Sequence, residues 1–409
     1  MNPFKKIFPY GRHYIDANDI KAVTDVLKSG MITQGPLIPK TEKKIAKYVG
    51  SKYAVLVSSC SAGLHIACKA IGMNSKHTTL TSPITFVSTA NSALHCGSKV
   101  VLGDIDPNTI NLSIDHIRKK IKKNKINYFI PVHFSGLPCD MKQIHSIAKK
   151  KKIKIIEDAA HAFGSKYLSG EKVGCCKYSD IAVFSFHPVK IIAGGEAGVV
   201  TTNSKDLYIK LLEYRSHGII KDVKENFKNK KEGYSKNKKN IWYYEMKNLG
   251  FHYRQTDIQS ALIFSQMKKI NKFLNYRKLL AKNYDNFFKN ISLIIPYNIP
   301  FRKFSSNHLY VIKINFKKLK INRNELMKML RKFGIITQVH YIPLNYHPYF
   351  KKMKISLHAN SNAKKYYDDC LSIPLYYGLK IIEQKFIVKK ILDLLEKYKV
   401  NKINQKIKN

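Results

Sequence analysis

The chain has 409 residues, 44% hydrophobic and 11% aromatic, a composition typical of a folded globular protein with room for two domains. Its 73 Lys and Arg residues outnumber 27 Asp and Glu residues, and the formal net charge of +46 would suit a nucleic-acid-binding protein. Only 8 of the 73 are Arg, the residue best shaped to recognise phosphates and bases, so we expect solvated lysine-rich faces and no specific nucleic-acid partner.

Short apolar runs alternate with helix-period segments between residues 53 and 202. The helix-like stretches include residues 62–71, 114–121 and 141–150. This alternation predicts a mostly parallel sheet covered by helices on both faces. In such sheets, ligands bind beyond the carboxyl ends of the strands. The predicted strands are residues 53–57, 79–81, 100–102, 128–131, 153–157, 181–186 and 198–201.

The rest of the chain is patterned differently. Residues 221–239 are rich in Lys, Asn and Glu with little periodicity, so we expect a long exposed loop, which is usually functional or mobile. A helical pattern over residues 257–288 suits a connection between domains, and strand and helix patterns mix after it. We predict a large domain over residues 1–255, a smaller C-terminal domain with the connecting helix over residues 256–400, and a disordered tail over residues 401–409.

Signals for export, membrane insertion or disulfides are weak. No apolar run approaches the roughly 18 residues that a membrane helix needs, and the N-terminal residues lack the apolar core of a signal peptide. The seven cysteines are an odd number without C-x-x-C spacing, which argues against a disulfide framework or a zinc site. We expect a cytoplasmic protein that is not inserted in a membrane.

Lys190 is the most informative residue of the chain. It follows the predicted strand 181–186 and precedes a glycine-rich turn, while Asp158 stands at the end of another predicted strand. These are the parts that a pyridoxal 5'-phosphate (PLP) site needs: a lysine for the Schiff base, an acid that keeps the pyridine nitrogen protonated, and a turn of small residues for the phosphate. Each part alone is common, so the prediction depends on their combination.

Other segments are ambiguous when taken alone. Residues 58–65 join the first strand to a helix with small hydroxyl residues, which suits either phosphate binding or an ordinary helix cap. Phe86 follows the second strand and can lie on a cofactor ring, although a lone Phe is more often part of the core. His187 has no H-E-x-x-H or G-x-S-x-G context, so it indicates neither a zinc enzyme nor a serine hydrolase.

Taken together, these motifs resemble those of the PLP-dependent sugar aminotransferases of the DegT/DnrJ type. The resemblance implies an α/β protein of the aspartate-aminotransferase (type I) fold, in which a large domain with a mostly parallel seven-stranded sheet joins a smaller α+β C-terminal domain. It also implies a homodimer with a shared active site. The matching segments are residues 33–36, 59–65, 85–87, 132–141, 157–164, 185–190, 250–259 and 339–343.

The resemblance also implies roles for individual residues. Lys190 would be the Schiff-base lysine and proton shuttle, and Asp158 would form a salt bridge with the pyridine nitrogen. Phe86 would stack on the ring, and His161 would support the ring from the other side or lie near its phenolic oxygen. The phosphate would be held by Ser61, the Ala62 backbone and Ser185.

Two positions depart from the family pattern. Members of the family have a G-x-N-Y-R segment whose Asn and Arg reach the site of the neighbouring subunit, and this chain has His252 in place of the Asn but retains Arg254. Ala197 stands where relatives have Gly. His252 can still donate to phosphate, and Arg254 would bind the amino-acid carboxylate. The other substrate-binding positions that the resemblance implies are Gln34, His340 and Tyr341.

Within the family, residues 242–246, 249–259, 340–343 and 371–376 resemble the branch that serves pseudaminic acid biosynthesis. That branch aminates C4 of a UDP-linked 4-keto-6-deoxy-N-acetylhexosamine, with L-glutamate as donor and 2-oxoglutarate as product. An aminotransferase for a different nucleotide-linked keto sugar stays open, as does a non-catalytic regulatory or nucleic-acid-binding protein on the same fold. Sister 3-dehydratases carry His at the lysine position, so Lys190 argues against their chemistry.

Overall fold

The computed structural model describes residues 6–220, 227–297 and 299–400. Within these ranges, seven strands form one large sheet. The sheet lies in the part of the chain where the sequence predicts alternating strands and helices. The strands are β1 (Tyr53–Val57), β2 (Thr78–Thr81), β3 (Lys99–Leu102), β4 (Tyr128–Ile130), β5 (Lys154–Asp158), β6 (Ile181–Ser185) and β7 (Gly198–Thr202).

The strand order in this sheet is β1-β7-β6-β5-β4-β2-β3. The pairs β2–β3, β2–β4, β4–β5 and β5–β6 are parallel, whereas β7 runs antiparallel to both β1 and β6. The sheet is therefore mostly parallel, as the sequence predicts. Because β4, β5 and β6 point the same way, the residues at their carboxyl ends meet along one edge.

Helices cover both faces of the large sheet. Successive residues of a strand point to opposite faces, and Leu56 of β1 accordingly packs in one hydrophobic cluster while Val55 and Val57 pack in another. Both clusters are buried, which explains the nearly continuous apolar runs. The helices of this part are α1 (Ala17–Leu27), α2 (Leu37–Val49), α3 (Cys60–Ala70), α4 (Ser88–His95), α5 (Ile114–Lys123), α6 (Met141–Lys151) and α7 (Lys205–Arg215).

The lysine-rich segment after α7 has more local structure than the sequence predicts. Residues 221–226 of the predicted loop 221–239 lie outside the described residues. Residues 227–239 are largely exposed, but the side chain of Asn229 caps a short helix and a two-residue hairpin follows. Local hydrogen bonds of this kind leave no periodicity in a sequence. The elements are β8 (Ile219–Ile220), α8 (Lys230–Gly233), β9 (Tyr234–Ser235), β10 (Lys238–Lys239) and β11 (Glu245–Met246).

The remaining chain builds a smaller antiparallel sheet with its own core. Long helices connect the two parts: Ile263 and Phe273 pack in a cluster with the large sheet, whereas Leu280 and Tyr284 pack with the small one. The predicted domain boundary at residues 255–256 stays a prediction, and the predicted tail lies outside the described residues. The elements are α9 (Asp257–Gln266), α10 (Ile270–Phe288), β12 (Ile294–Pro296), β13 (Tyr310–Ile314), α11 (Arg323–Lys332), α12 (Pro348–Lys352), α13 (Asn362–Asp369), β14 (Cys370–Ile373) and α14 (Ile381–Lys397), with short 3₁₀ turns at Phe134–Gly136, Met267–Lys269, Ile299–Phe304, Phe316–Lys318 and Leu344–Tyr346.

Candidate active site

A cleft of about 600 Å³ lies at the carboxyl ends of β5 and β6, where the sequence predicts a ligand site. The N-terminal end of α3, the loop before α4 and a loop of the smaller part, residues 338–342, complete its walls. The cleft thus brings together residues that are far apart in the chain, from Tyr10 to His347. The predicted site residues that line it are Ser61, Phe86, Asp158, His161, Ser185, Lys190, His340 and Tyr341.

Lys190 follows β6, and its side-chain amine points into a crowded part of the cleft. Burial lowers the pKa of Lys190 to about 8, although the nearby Cys60 and Asp158 partly oppose the shift. The amine Nζ lies 3.5 Å from Nε2 of His308. With a pKa of about 8, a substantial fraction of Lys190 is the neutral amine near physiological pH, which is the form that acts as nucleophile or base.

Asp158, the last residue of β5, is 4% exposed. Its carboxylate accepts a hydrogen bond from Thr89 Oγ1 (2.6 Å) and another from the Ala160 N–H (3.1 Å). Burial raises the pKa of Asp158, and these two hydrogen bonds and the charge of Lys190 oppose that effect. A buried carboxylate in this setting is stabilised by a cationic partner in the cleft.

The N-terminal end of α3 forms the third wall. Ser59, Cys60 and Ser61 line the cleft there, so the positive end of the helix dipole faces it. Ser59 Oγ accepts the Ala62 N–H (3.1 Å), and Ala62 itself is buried behind the wall. The Ala62 N–H, which is predicted to bind phosphate, therefore already donates to the helix-capping Ser59. The hydroxyl of Ser61 is at the surface of the cleft.

Aromatic and imidazole rings surround the opening. His161 Nδ1 accepts the Ser135 N–H (3.3 Å), so its proton is on Nε2, which lies 3.0 Å from the Tyr341 hydroxyl. Burial lowers the pKa of His161 well below its usual value and keeps the ring neutral. Phe86 is 57% exposed, with its ring centroid 6.2 Å from that of Tyr341. An exposed Phe at a cleft is free to cover a ligand ring.

Gln34, His252 and Arg254 do not line the cleft of their own chain. Gln34 and His252 are exposed, and the His252 ring stacks on His217 with centroids 5.1 Å apart. Their two segments are tied together by a bridge from Thr33 to Thr256. The carboxylate of Asp257 adds hydrogen bonds from the backbone N–H groups of Gly35 (2.6 Å) and Leu37 (2.9 Å). These three predicted residues form a separate surface patch.

Buried polar residues that the sequence analysis does not single out support the site. Glu157, fully buried one residue before Asp158, accepts hydrogen bonds from His133 Nε2 (2.6 Å) and the Tyr167 hydroxyl (2.7 Å). The His133 backbone N–H also donates to the Asp158 carbonyl (3.0 Å), so His133 holds both residues at the end of β5. The other such residues are Thr89 and His308, and no local spacing connects either of them to Asp158 or Lys190.

The residues of the cleft fit PLP. Its cationic pyridine nitrogen can form an ion pair with the buried Asp158 carboxylate, and its aldehyde can react with the Lys190 amine. Its phosphate suits the α3 terminus with Ser61. Three chemically different requirements are thus met in one cavity.

The fold and this cleft together define a PLP-dependent aminotransferase of the type I fold. The chain belongs to the DegT/DnrJ/EryC1/StrS aminotransferase family, whose model matches residues 13–392. The predicted family, fold class and cofactor are confirmed.

Individual relatives agree with this assignment. The chain is 35% identical over 392 residues, 95% of this chain and 98% of the relative, to a UDP-4-amino-4,6-dideoxy-N-acetyl-beta-L-altrosamine transaminase of Campylobacter jejuni. Its structure is similar to that of Helicobacter pylori PseC, an aminotransferase involved in the biosynthesis of pseudoaminic acid, with TM-score 0.87, 29% identity and coverage of 96% and 100%. It is also similar to the PLP form of the putative sugar aminotransferase Spr1654 of Streptococcus pneumoniae, with TM-score 0.84, 25% identity and coverage of 96% and 99%.

In the described part of the chain, no helix combines the length and apolar character needed to cross a bilayer. All seven cysteines are free thiols, and five are buried, as expected for small core residues.

Proposed function

We propose that the protein transfers an amino group from L-glutamate to C4 of a UDP-linked 4-keto-6-deoxy-N-acetylhexosamine, in the cytoplasm and for surface glycan biosynthesis of the pseudaminic acid type. The observation that carries the proposal is the placement of Lys190 and Asp158 in one cleft beside the N-terminal end of α3. The substrate class in this proposal comes from the Campylobacter jejuni relative, because its name describes a UDP-sugar transaminase.

The proposed mechanism assigns proton movements to Lys190. Bound PLP supplies an electron sink as long as its ring nitrogen is protonated. Asp158 keeps that nitrogen protonated, because its buried carboxylate is stabilised by a cation and because Thr89 and Ala160 fix its two oxygens. Lys190 Nζ removes the proton from Cα of glutamate and, in the second half of the reaction, delivers a proton to C4 of the sugar.

The remaining residues bind and orient. Ser61 and Ser185, together with the α3 terminus, hold the cofactor phosphate. Phe86 would cover the cofactor ring, and His161, fixed by Ser135 and Tyr341, would contact that ring. The substrate lies against His340 and Tyr341, which line the cleft.

A second copy of the chain completes the site in this proposal. Among the described residues that line the cleft, Lys190 is the one Lys or Arg, although a phosphate, a diphosphate and a carboxylate must be bound there. The partner subunit's His252 and the partner subunit's Arg254 supply donors, with the partner subunit's Gln34 beside them. Large apolar side chains are exposed on the same segments, Met31 (53%), Ile32 (49%) and Leu249 (78%), which supports burial in a homodimer interface.

The first test uses a panel of sugars. Protein loaded with PLP is treated with L-glutamate, freed of amino acid, and then given UDP-linked 4-keto-6-deoxy-N-acetylhexosamines that differ in configuration. We expect stoichiometric 2-oxoglutarate in the first step and UDP-4-amino-4,6-dideoxy-N-acetyl-β-L-altrosamine in the second, identified by NMR. If only a different keto sugar is aminated, the proposed substrate is wrong. If no 2-oxoglutarate forms, the proposed transaminase activity is wrong. The Lys190→Ala variant is the control and should be inactive in both steps.

A further inference from the structure

His308 lies against the catalytic lysine but comes from the other part of the molecule. It stands two residues before β13 of the small sheet, 118 positions from Lys190, and its Nε2 is 3.5 Å from Lys190 Nζ. Its ring centroid is 4.5 Å from that of His161. His308 is 3% exposed, so water does not compete for this contact.

The position of His308 is fixed by buried hydrogen bonds. Its backbone N–H donates to the Ser135 carbonyl (3.1 Å). The guanidinium of Arg277, 1% exposed, donates to the carbonyls of Asn307 (3.4 Å), His308 (3.2 Å) and Leu375 (2.9 Å). Asn307 has φ +51°, in the left-handed region, which costs energy for a residue with a side chain. A buried arginine and a strained residue therefore hold the imidazole against Lys190.

The surroundings of the ring decide which nitrogen carries the proton. Burial lowers the pKa of His308 well below its usual value, and the charges of Lys190 and Arg277 act in the same direction, so the ring is neutral. Nδ1 is buried and has no hydrogen-bond partner among the residues that the structure describes. A buried N–H without an acceptor is costlier and rarer than a bare acceptor. The favoured tautomer therefore has a bare Nδ1 and directs an Nε2–H at Lys190.

We infer that His308 is a further catalytic residue, which donates its Nε2–H to the free amine of Lys190 and so favours the neutral base over the ammonium ion. The inference rests on the function proposed above for Lys190. An N–H that points at Nζ attracts the lone pair of the amine and repels the charged form. Lys190 is thereby prepared to accept a proton, and it releases that proton readily to the next atom.

Other titratable groups near Lys190 lie on several elements packed against it. Asp158 at the end of β5 and Cys60 at the start of α3 favour the charged amine, whereas burial opposes it. His161 and His340 are neutral because burial lowers the pKa of each, and the Nδ1 of His340 is engaged with Ser372 Oγ (2.8 Å). Among the described histidines, His308 is the one whose ring nitrogen lies within hydrogen-bond distance of Lys190 Nζ.

The test measures the ionisation of Lys190 in coenzyme-free protein. Trace acylation over a pH series, followed by peptide mass spectrometry, gives the midpoint for each lysine. His308→Phe removes the N–H, and His308→Gln keeps an amide N–H. A neutral hydrogen bond of about 0.5–1.5 kcal/mol corresponds to about 0.4–1 in pKa, so the Lys190 midpoint should rise by that amount in His308→Phe and less in His308→Gln. Lys44 of α2, which does not line the cleft and donates to the Phe264 carbonyl (3.2 Å), is the internal reference, and its midpoint should not change.

Activity gives an independent readout. At pH 7.5 the glutamate half-reaction of His308→Phe should be about two- to eightfold slower with an unchanged KM, because a rise of about 0.4–1 from a pKa of about 8 lowers the neutral fraction of Lys190 by that factor, and the deficit should shrink as the pH is raised past the new midpoint. If His308→Phe does not fold, His308→Leu takes its place. An unchanged or lower Lys190 midpoint, or a deficit independent of pH, would overturn the role of His308. Failure of the wild-type protein to react with glutamate would instead overturn the proposed function.

Discussion

At the scale of single residues, Asp158 shows how a buried charge is prepared for a cofactor. The carboxylate has one hydrogen bond from the side chain of Thr89 and one from the backbone of Ala160, and both favour its ionised form against burial. Thr89 belongs to α4 and is itself fully buried. Its hydroxyl also contacts Thr85 Oγ1 (2.6 Å), which restricts its orientation.

This arrangement predicts graded effects of two substitutions. Asp158→Asn should keep the fold but reduce turnover by several orders of magnitude, because the ring nitrogen loses its charged partner. Thr89→Val removes one hydrogen bond to a charged group, worth about 1.5–3 kcal/mol, and should weaken coenzyme binding by roughly 10- to 150-fold. Steady-state kinetics measures the turnover of Asp158→Asn, and coenzyme titration monitored by absorbance measures the affinity of Thr89→Val for PLP.

A matched control variant is available in β2. Thr79 of β2 is also fully buried, but its hydroxyl contacts Ser98 Oγ (2.8 Å) and not the active site. Thr79→Val should lower stability without changing the coenzyme affinity. Equal affinities for Thr89→Val and the wild-type protein would show that Thr89 does not position Asp158.

At the scale of elements, the sequence predicts the sheet and the two strand-end residues because both depend on local patterns. The apolar runs coincide with β1 to β7 within one or two residues, and the parallel arrangement then places Asp158 and Lys190 at one edge. The glycine-rich turn after Lys190 is explained by packing: a side chain at Gly194 would meet Ile263 of α9 at 2.6 Å. Local patterns are sufficient for the strands and their ends, whereas the requirement for glycine at position 194 comes from contact with a distant helix.

The features that the sequence does not predict depend on contacts between distant segments. His308 reaches Lys190 through the docking of the small sheet, and Thr89 reaches Asp158 from a helix 69 positions away. In the sequence, Glu157 is simply the last residue of a predicted strand, yet its contacts with His133 and Tyr167 fix the end of β5. No spacing along the chain encodes these partnerships, so the predicted catalytic pair emerges from sequence whereas its supporting residues require the structure.

At the scale of the whole molecule, the proposed homodimer explains why three predicted residues lie outside the cleft. Gln34, His252 and Arg254 share one surface patch, and Asp257 holds the two segments of that patch together. If this patch completes the site of the partner, a defect there and a defect in the cleft should complement each other in a mixed dimer.

Complementation can be measured by subunit exchange. Lys190→Ala and Arg254→Ala dimers should each be nearly inactive, but an equimolar mixture should regain about a quarter of wild-type activity, because half of the dimers are mixed and each mixed dimer has one intact site. Lys190→Ala mixed with Asp158→Asn is the control and should stay inactive, since both defects lie in the same cleft. No recovery in the first mixture would place Arg254 in its own site or outside catalysis.

The proposed function depends above all on a covalent bond between Lys190 and PLP. Borohydride reduction of the PLP-loaded protein, followed by digestion and mass spectrometry, measures that bond directly. We expect about one pyridoxyl group per chain, on the peptide that contains Lys190. The other 64 lysines of the chain should carry no pyridoxyl group. A tag on a different lysine, or a protein that remains untagged with excess coenzyme, would contradict it.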